Sequence, residues 1–380
     1  MSAKRKLRVG VMMGGRSGEH EVSLASAHSV MAAMNPEKYD IVPIGITKTG
    51  RWIASGDPMK ALTVGDESLS QPAALLGDPS HRSLMRLEDR EEAIEAIHLA
   101  QLDVIFPVLH GPYGEDGTVQ GLLELAGIPY VGAGVTASAL AMDKILFKEV
   151  MVAHGFPLVA DVALKRKEWE VDPEAVMDRI EEILGYPVFT KPANLGSSVG
   201  VSRCSDRAEL AAGLADAAQY DRKLLVEEAV PRAREIEVSV LGNDEPIASL
   251  PGEIVPSREF YSYAAKYLDE GEDASDLLIP APLSPAMTER VRHLALEVYL
   301  AIDCAGMARV DFLLSGETDE LYVNEVNTIP GFTKISMYPK LWEVTGISYS
   351  ELIDRLIELA LERYQDRARS RTSYSMEEAR

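Results

Sequence analysis

Long apolar runs are missing from this 380-residue chain. No stretch approaches the ~18 residues that a membrane-spanning helix needs. Cysteine is scarce too, with only Cys204 and Cys304, far apart in sequence. That leaves no CxxC or zinc-ligand spacing and argues against a disulfide framework. Positive charge is short: 38 Lys and Arg stand against 60 Asp and Glu, a formal charge of −22. Such a surface repels nucleic acid and anionic membranes, so an anionic ligand must be held by a local basic pocket against the global field. Internal repeats and low-complexity tracts are absent as well. The basic start MSAKRK leads into a short apolar run that ends in glycines without a small-residue cleavage site, so it reads as a first strand rather than a signal peptide. What remains is an expectation of a cytoplasmic enzyme, with a length that predicts two or three domains.

The pattern that is present begins with strands alternating with helices, which indicates a parallel α/β domain. Residues 7–13 read as a buried strand, and 21–34 as a helix stopped by Asn35-Pro36. YDIVPIGIT and LDVIFPVLH are further strands, VQGLLELAG a helix and IPYVG a fourth short strand. Residues 55–100 are expected to be a loop insertion followed by a helix over the acidic run LEDREEAIEAI. After about residue 133 the pattern changes. ASALAMDKILFKEVMVAHG is predicted as one helix, followed by short strands, a helix at 285–302, a hairpin MARVDFLLSGETDELYVNEVN and a closing helix at 346–365. The tail DRARSRTSYSMEEAR is polar and expected to fray.

The hairpin carries the clearest chemistry. If its turn centres near Thr318, Asp311 faces Glu325 and Arg309 faces Asn327. Residues two apart share a strand face, so all four side chains share one face. Carboxylates opposed on a sheet stand about 4.5–5.5 Å apart and repel. A hard cation between them resolves the repulsion, and the oxygen ligands of Asp311, Glu325 and Asn327 suit Mg²⁺. A solvated, charged strand pair is the plainer alternative. NTIPGFT follows, a Pro-Gly turn that brings backbone N–H groups near Arg309.

A second cluster is FTKPANLGSSVGVS, in which a strand ends at Lys191 and a Gly/Ser loop follows. Such a loop can cradle phosphate with backbone N–H groups and hydroxyls, or be simply a loop; it is no Walker A motif. Near the N-terminus, VMMGGRSGEHEVS raises the question of a dinucleotide fingerprint. Its spacing is not GxGxxG, and the second strand ends in GITKTG without the acid that holds a ribose. That weighs against an NAD-dependent oxidoreductase. A non-catalytic ATP-binding regulator would tolerate loss of Arg309, Asp311, Glu325 or Asn327, yet all four are present.

The motifs GGRSGEHEVS, LHGPYGEDGTVQG, MDK, KPANLGSSVG, EFYSYAAKY, RVDF and NEVNTIPGFT, in this order, resemble the ATP-grasp superfamily and, within it, the D-alanine–D-alanine ligase family. The likeness runs from about residue 7 to 365. Its departures are Ser262, where an acidic residue is common, and a long 55–100 segment. The resemblance implies an α/β and α+β multidomain fold. An N-terminal α/β substrate domain (1–133) precedes a two-lobed ATP-grasp fold (134–228 and 229–367) and a polar tail (368–380).

It also implies an activity: ATP-dependent joining of two D-alanine molecules through an acyl phosphate, for peptidoglycan precursor synthesis. The alternatives are a D-alanine–D-lactate ligase or another ATP-grasp carboxylate–amine ligase. Further implications are Mg²⁺, as two ions with Mn²⁺ as a substitute, and a cytoplasmic homodimer with no nucleic-acid or membrane partner. By the same resemblance, Glu19 meets the ammonium of the first D-alanine, and Ser197 and Tyr267 link to Glu19 in a hydrogen-bonded set. Ser336 holds the carboxylate of the second D-alanine, and Arg309 with the Gly331 N–H forms the oxyanion site. ATP contacts fall to Lys144, Lys191, Ser197 and Ser198, to Glu227 and Glu235 at the nucleoside, and to Asn324, Glu325 and the lid residue Lys266. Tyr267 favours D-alanine over D-lactate as second substrate. His110 is either near that substrate or a satisfied strand-end histidine.

Overall fold

The computed structural model describes residues 5–255 and 276–371. Among these, the strands form three sheets. The first holds β1 (Leu7–Gly14), β2 (Tyr39–Ile46), β3 (Trp52–Ala54), β4 (Gln71–Leu75), β5 (Ser83–Asp89), β6 (Ile94–Gln101) and β7 (Val104–Pro107), in the order β6-β5-β4-β3-β2-β1-β7. Its β2-β1-β7 part is parallel, and β1 is buried along all but its first two residues. A parallel strand covered on both faces reads as a continuous apolar run, which is why VGVMM was legible. Helices α1 (His20–Ala33), α2 (Pro58–Val64) and α3 (Thr118–Ala126) accompany this sheet.

The segment 55–100 departs from expectation. The acidic run is no helix: it falls on β5 and β6, an antiparallel hairpin with Leu84 opposite Ala100 and Asp89 opposite Ile94. Its charges pair across and beside the turn. Arg90 Nη2 reaches Glu88 Oε2 and Glu95 Oε2, both at 2.9 Å. On one side Leu84 and Met85 supply the buried anchor. IPYVG reduces to a single bridge, Ile105 with Tyr130.

The predicted helix over 137–155 is two helices, α4 (Val135–Met142) and α5 (Lys144–Ala153). Asp143 between them is extended at ψ 95°, and its carboxylate accepts the Leu146 N–H at 3.2 Å, starting α5 afresh. The second sheet follows, with β8 (Asp161–Lys165), β9 (Val188–Pro192), β10 (Ser202–Cys204) and β11 (Lys223–Glu228) in the order β10-β9-β11-β8. Three helices escaped the sequence reading here: α6 (Arg166–Val171), α7 (Pro173–Ile183) and α8 (Arg207–Tyr220). Two carry clear start signals, Asp172-Pro173 for α7 and Asp206 accepting the Ala208 and Glu209 N–H groups for α8.

The third sheet contains β12 (Ala233–Gly242), β13 (Ile247–Ala248), β14 (Gly252–Val255), β15 (Asp276–Leu278), β16 (Gly306–Ser315) and β17 (Leu321–Asn327). Helix α9 (Pro285–Ala301) packs on it, followed by α10 (Met337–Thr345), also unpredicted, and α11 (Tyr349–Arg367). Leu352, Ile353, Leu356, Ile357 and Ala360 form one apolar stripe of α11. That stripe shares a core with Val9, Val11 and Phe106 of the first sheet and with Phe332, Tyr338 and Trp342. The C-terminal loop at 329–332 is thereby seated against the N-terminal sheet, with the Phe106 and Phe332 rings edge to face at 5.8 Å.

Candidate active site

The hairpin has the register its alternation predicts: Arg309 opposite Asn327 and Asp311 opposite Glu325. A bulge after Asp311 then shifts the pairing, so that Phe312 meets Val323. On the other side of β16, Glu237 of β12 lies opposite Asp311. Three carboxylates therefore cross three adjacent strands at one level. The Arg309 guanidinium sits among them, with Nε 2.7 Å from Asp311 Oδ1, Nη2 2.6 Å from Asp311 Oδ2, and Nε 3.0 Å from Glu237 Oε2. Burial would lower the Arg309 pKa, but Asp311 and Glu237 outweigh it and raise it well above normal. Glu237 was missed by sequence reasoning, though it stands two residues from Glu235 on the same strand face.

The fit to a divalent cation rests on the donor set. Asp311 and Glu325 bring opposed oxygens, and Asn327 lies within 2.8 Å of Asp311 through its Nδ2. Turning that amide over would present its oxygen to a cation instead. Among the described residues no group of three or more His, Cys, Asp or Glu forms a metal cluster, so the set is two carboxylates and one amide.

Lysines approach from α5 and from the second sheet. Lys144, the first residue of α5, donates from Nζ to Leu195 O at 2.9 Å and lies 3.2 Å from Glu325 Oε2, tying the 194–200 loop to the hairpin. In that loop Ser197 and Ser198 take left-handed φ values of 52° and 57°. Lys191 pairs with Glu227 Oε2. Glu227 Oε1 is 2.7 Å from Lys148, a buried lysine that also reaches Asp161 Oδ1 at 3.3 Å and Val159 O at 3.2 Å. Glu227 was expected at the nucleoside, but here both its oxygens face ammonium groups. Lys148 was unnoticed, although it lies four residues, one helical turn, after Lys144. Glu235 shares the sheet face of Glu237 and Asp311, whereas Lys266 and Tyr267 lie outside the described residues.

The Glu227 pair predicts a pH effect. Burial alone would raise its pKa, but Lys191 and Lys148 hold it down at about 2. The folded value lies below the unfolded one, so this stabilisation is complete above the unfolded carboxylate pKa and is lost as pH falls toward 2. Lys148→Met is expected to lower the thermal midpoint by several degrees at pH 7, with the gap to wild type narrowing from about pH 5 to pH 3. A gap of constant size over that range would contradict the coupling.

The N-terminal turn completes the arrangement. The Gly14 N–H donates to Ser23 Oγ and the Gly15 N–H to Ile46 O, both at 2.8 Å, so neither is open to a pyrophosphate. A side chain on Gly14 would come within 2.3 Å of Ile46 O. Gly14 serves close packing and Gly15 a left-handed φ of 104°, and Glu19, just before α1, is what the turn presents. It accepts a hydrogen bond from the Ser197 hydroxyl. An added Cβ on Gly111 would lie 2.8 Å from Glu19 Oε2, so segments 17–19, 110–111 and 196–198 converge.

His110 is buried, with Nδ1 2.9 Å from Ile329 O and Nε2 3.4 Å from Ser26 Oγ. Burial pushes its pKa down, so Nδ1–H donates to Ile329 O and Nε2 accepts from the serine. Both ring nitrogens have protein partners, which favours the strand-end reading over substrate contact. Ser336 precedes α10; its Oγ accepts the Thr333 N–H at 3.1 Å and lies 2.8 Å from Thr333 Oγ1. A Cβ on Gly331 would be 3.1 Å from that Oγ. Glu115 also escaped notice. It is half-buried and accepts N–H groups from Gly111 at 2.7 Å and Ile329 at 3.2 Å. Burial, reinforced by the charge of Glu19, pushes its carboxyl up to about 8.

Comparison with known proteins converges on one family. The family described as "D-ala D-ala ligase N-terminus" matches residues 8–133, and "D-ala D-ala ligase C-terminus" matches 150–358. A D-alanine–D-alanine ligase of Natranaerobius thermophilus is 49% identical over 372 residues, covering 98% of this chain and 99% of that protein. One of Thermoanaerobacter is 53% identical over 365 residues, covering 96% and 99%. The D-alanine–D-alanine ligase of Coxiella burnetii superimposes with a TM-score of 0.79 at 36% identity, covering 96% of each chain. The VanG D-Ala:D-Ser ligase of Enterococcus faecalis does so with 0.81 at 36% identity, covering 94% of this chain and 100% of that one.

Proposed function

From the premise that the chain belongs to the D-alanine–D-alanine ligase family, we propose how its residues join two D-alanine molecules at the expense of ATP. A carboxylate oxygen of the first D-alanine attacks the γ-phosphorus, the bond to ADP breaks, and D-alanyl phosphate forms. The amine of the second D-alanine then attacks the acyl carbon. The tetrahedral adduct expels phosphate, the nitrogen loses a proton, and the dipeptide remains. The observation that carries this reading is the register-locked set on β16 and β17, tied through Glu325 to Lys144 and the 194–200 loop.

Each residue has a physical task. Glu19, held by Ser197, meets the ammonium of the first D-alanine. Lys144 and Lys191 neutralise phosphate charge, with Lys148 keeping Glu227 ionised when Lys191 turns to ATP. Arg309 and the Gly331 N–H stabilise the oxyanion of the adduct. Ser336 receives the second carboxylate, and the segment carrying Lys266 and Tyr267 excludes water from an acyl phosphate that would otherwise hydrolyse. Asp311, Glu325 and Asn327 would hold Mg²⁺, or Mn²⁺ in its place, and bound ions, two in this reading, neutralise phosphate charge. Glu235 and Asn324 belong to the ATP side. The domain division at 133 and 228, a homodimer and a cytoplasmic site of action belong to the same proposal. No helix among the described residues is long and apolar enough to cross a membrane.

Mass analysis after incubation with D-alanine and Mg-ATP tests the reading. D-alanyl-D-alanine is the expected product. ADP without dipeptide, or a requirement for D-lactate at neutral pH, would point to the depsipeptide alternative or to another acceptor. Glu19→Gln removes the charge that meets the first ammonium. It is expected to raise KM for the first D-alanine about 10-fold or more, since a charge-assisted hydrogen bond is lost. An unchanged KM would return Glu19 to a helix-start role.

A further inference from the structure

Three of the backbone hydrogen bonds of the loop at 329–332 go to residues of the N-terminal segment, and the Phe332 C=O accepts from the Tyr349 hydroxyl of α11. The Ile329 N–H donates to Glu115 Oε1 at 3.2 Å, and its C=O accepts from His110 Nδ1 at 2.9 Å. The Phe332 N–H donates to Ser26 Oγ at 3.2 Å, and that hydroxyl donates onward to His110 Nε2. The other oxygen of Glu115 takes the Gly111 N–H at 2.7 Å, which fixes the carboxyl to its own loop. Pro330 has no N–H to give. Of the backbone donors at 329–332, only that of Gly331 finds no partner among the described residues.

We propose that Glu115, with His110 and Ser26, is a positioning residue that fixes the loop so that the Gly331 N–H alone stays open for the developing oxyanion. This rests on the ligase reading above and adds to it a control of the amide-forming step by the N-terminal segment. Glu115 touches neither substrate nor ATP in this account; it acts through Ile329. The carboxyl accepts both N–H groups whether ionised or protonated. A glutamine cannot, because its NH₂ would face one of the two donors. The loop would then shift, and displacement by about 1 Å of a group aimed at a transition state costs roughly 10²-fold in rate.

The oxyanion forms after the acyl phosphate, so the two steps respond differently. Glu115→Gln is expected to lower dipeptide kcat about 10- to 100-fold, with KM for ATP and for the first D-alanine changed no more than a few-fold. D-Alanyl phosphate still forms, and when aminolysis stalls it escapes to bulk solvent, where no oxyanion site is needed to discriminate: water adds to the acyl carbon, phosphate leaves, and D-alanine is returned. The ratio of ADP to dipeptide therefore rises above one. Ser26→Ala removes the acceptor of the Phe332 N–H with little change in volume and should move the same ratio in the same direction. It decides the question if Glu115→Gln does not fold. Wild-type kcat with a ratio of one in the folded variants overturns the clamp, and so does a uniform loss in which all parameters fall together at a ratio of one. A wild-type protein that makes no dipeptide would instead overturn the ligase reading itself.

Discussion

Arg309→Lys is expected to lower turnover about 10²- to 10³-fold, the usual cost of losing one oxyanion donor, while KM for ATP changes little. Lysine keeps the positive charge between Asp311 and Glu237 but not the planar fork that reaches both Asp311 oxygens. Arg309→Ala is the less informative substitution. It would leave Glu237 and Asp311 buried and uncompensated, a loss of roughly 3–5 kcal/mol that confounds stability with rate. Steady-state kinetics with ATP and D-alanine varied separately check the expectation. If ATP affinity falls as far as turnover, Arg309 is organising the nucleotide site rather than the adduct. In that case the free Gly331 N–H would lose its partner in the mechanism.

The hairpin was legible because its information is local. Alternation along MARVDF and LYVNEVN fixes which side chains share a face, and a short turn fixes which stand opposite. Beyond the bulge at Asp311 the same counting fails by one residue, but the four functional positions lie on the near side of it. The 55–100 segment failed for a related reason. Its run of charged residues and alanines suits an exposed helix, while the ion pairs that form, Arg90 with Glu88 and Glu95, need a hairpin turn. The decision was made by the burial of Leu84 and Met85 against a sheet that the local sequence does not announce.

Glu115, Ser26 and Glu237 were invisible for another reason: their meaning depends on partners far along the chain. Glu115 and Ile329 are 214 residues apart, and Ser26 and Phe332 are 306 apart. No spacing rule reaches that far. His110 shows the limit from the opposite side. Its position in HGPYGEDG marked it as important, but only the fold shows that its nitrogens serve the 329–332 loop.

Glu325→Gln is the second large effect. The substitution keeps size and hydrogen-bonding capacity but removes one of the two opposed carboxylates and weakens the 3.2 Å contact to Lys144. Turnover is expected to fall about 10²-fold or more, since charge compensation on transferring phosphate is worth several kcal/mol. Two causes could produce that loss, and they separate cleanly. If Glu325 is a metal ligand, the Mg²⁺ concentration giving half-maximal rate rises, and excess Mg²⁺ restores part of the activity by mass action. If its main task is to anchor Lys144, the metal dependence stays as in wild type and KM for ATP rises instead. Lys144→Met provides the reference for that second pattern, because it removes the ammonium and leaves both carboxylates in register. An unchanged Mg²⁺ half-saturation in Glu325→Gln would therefore remove Glu325 from the metal set and leave Asp311 and Asn327, already bonded to each other, too few to hold the ion.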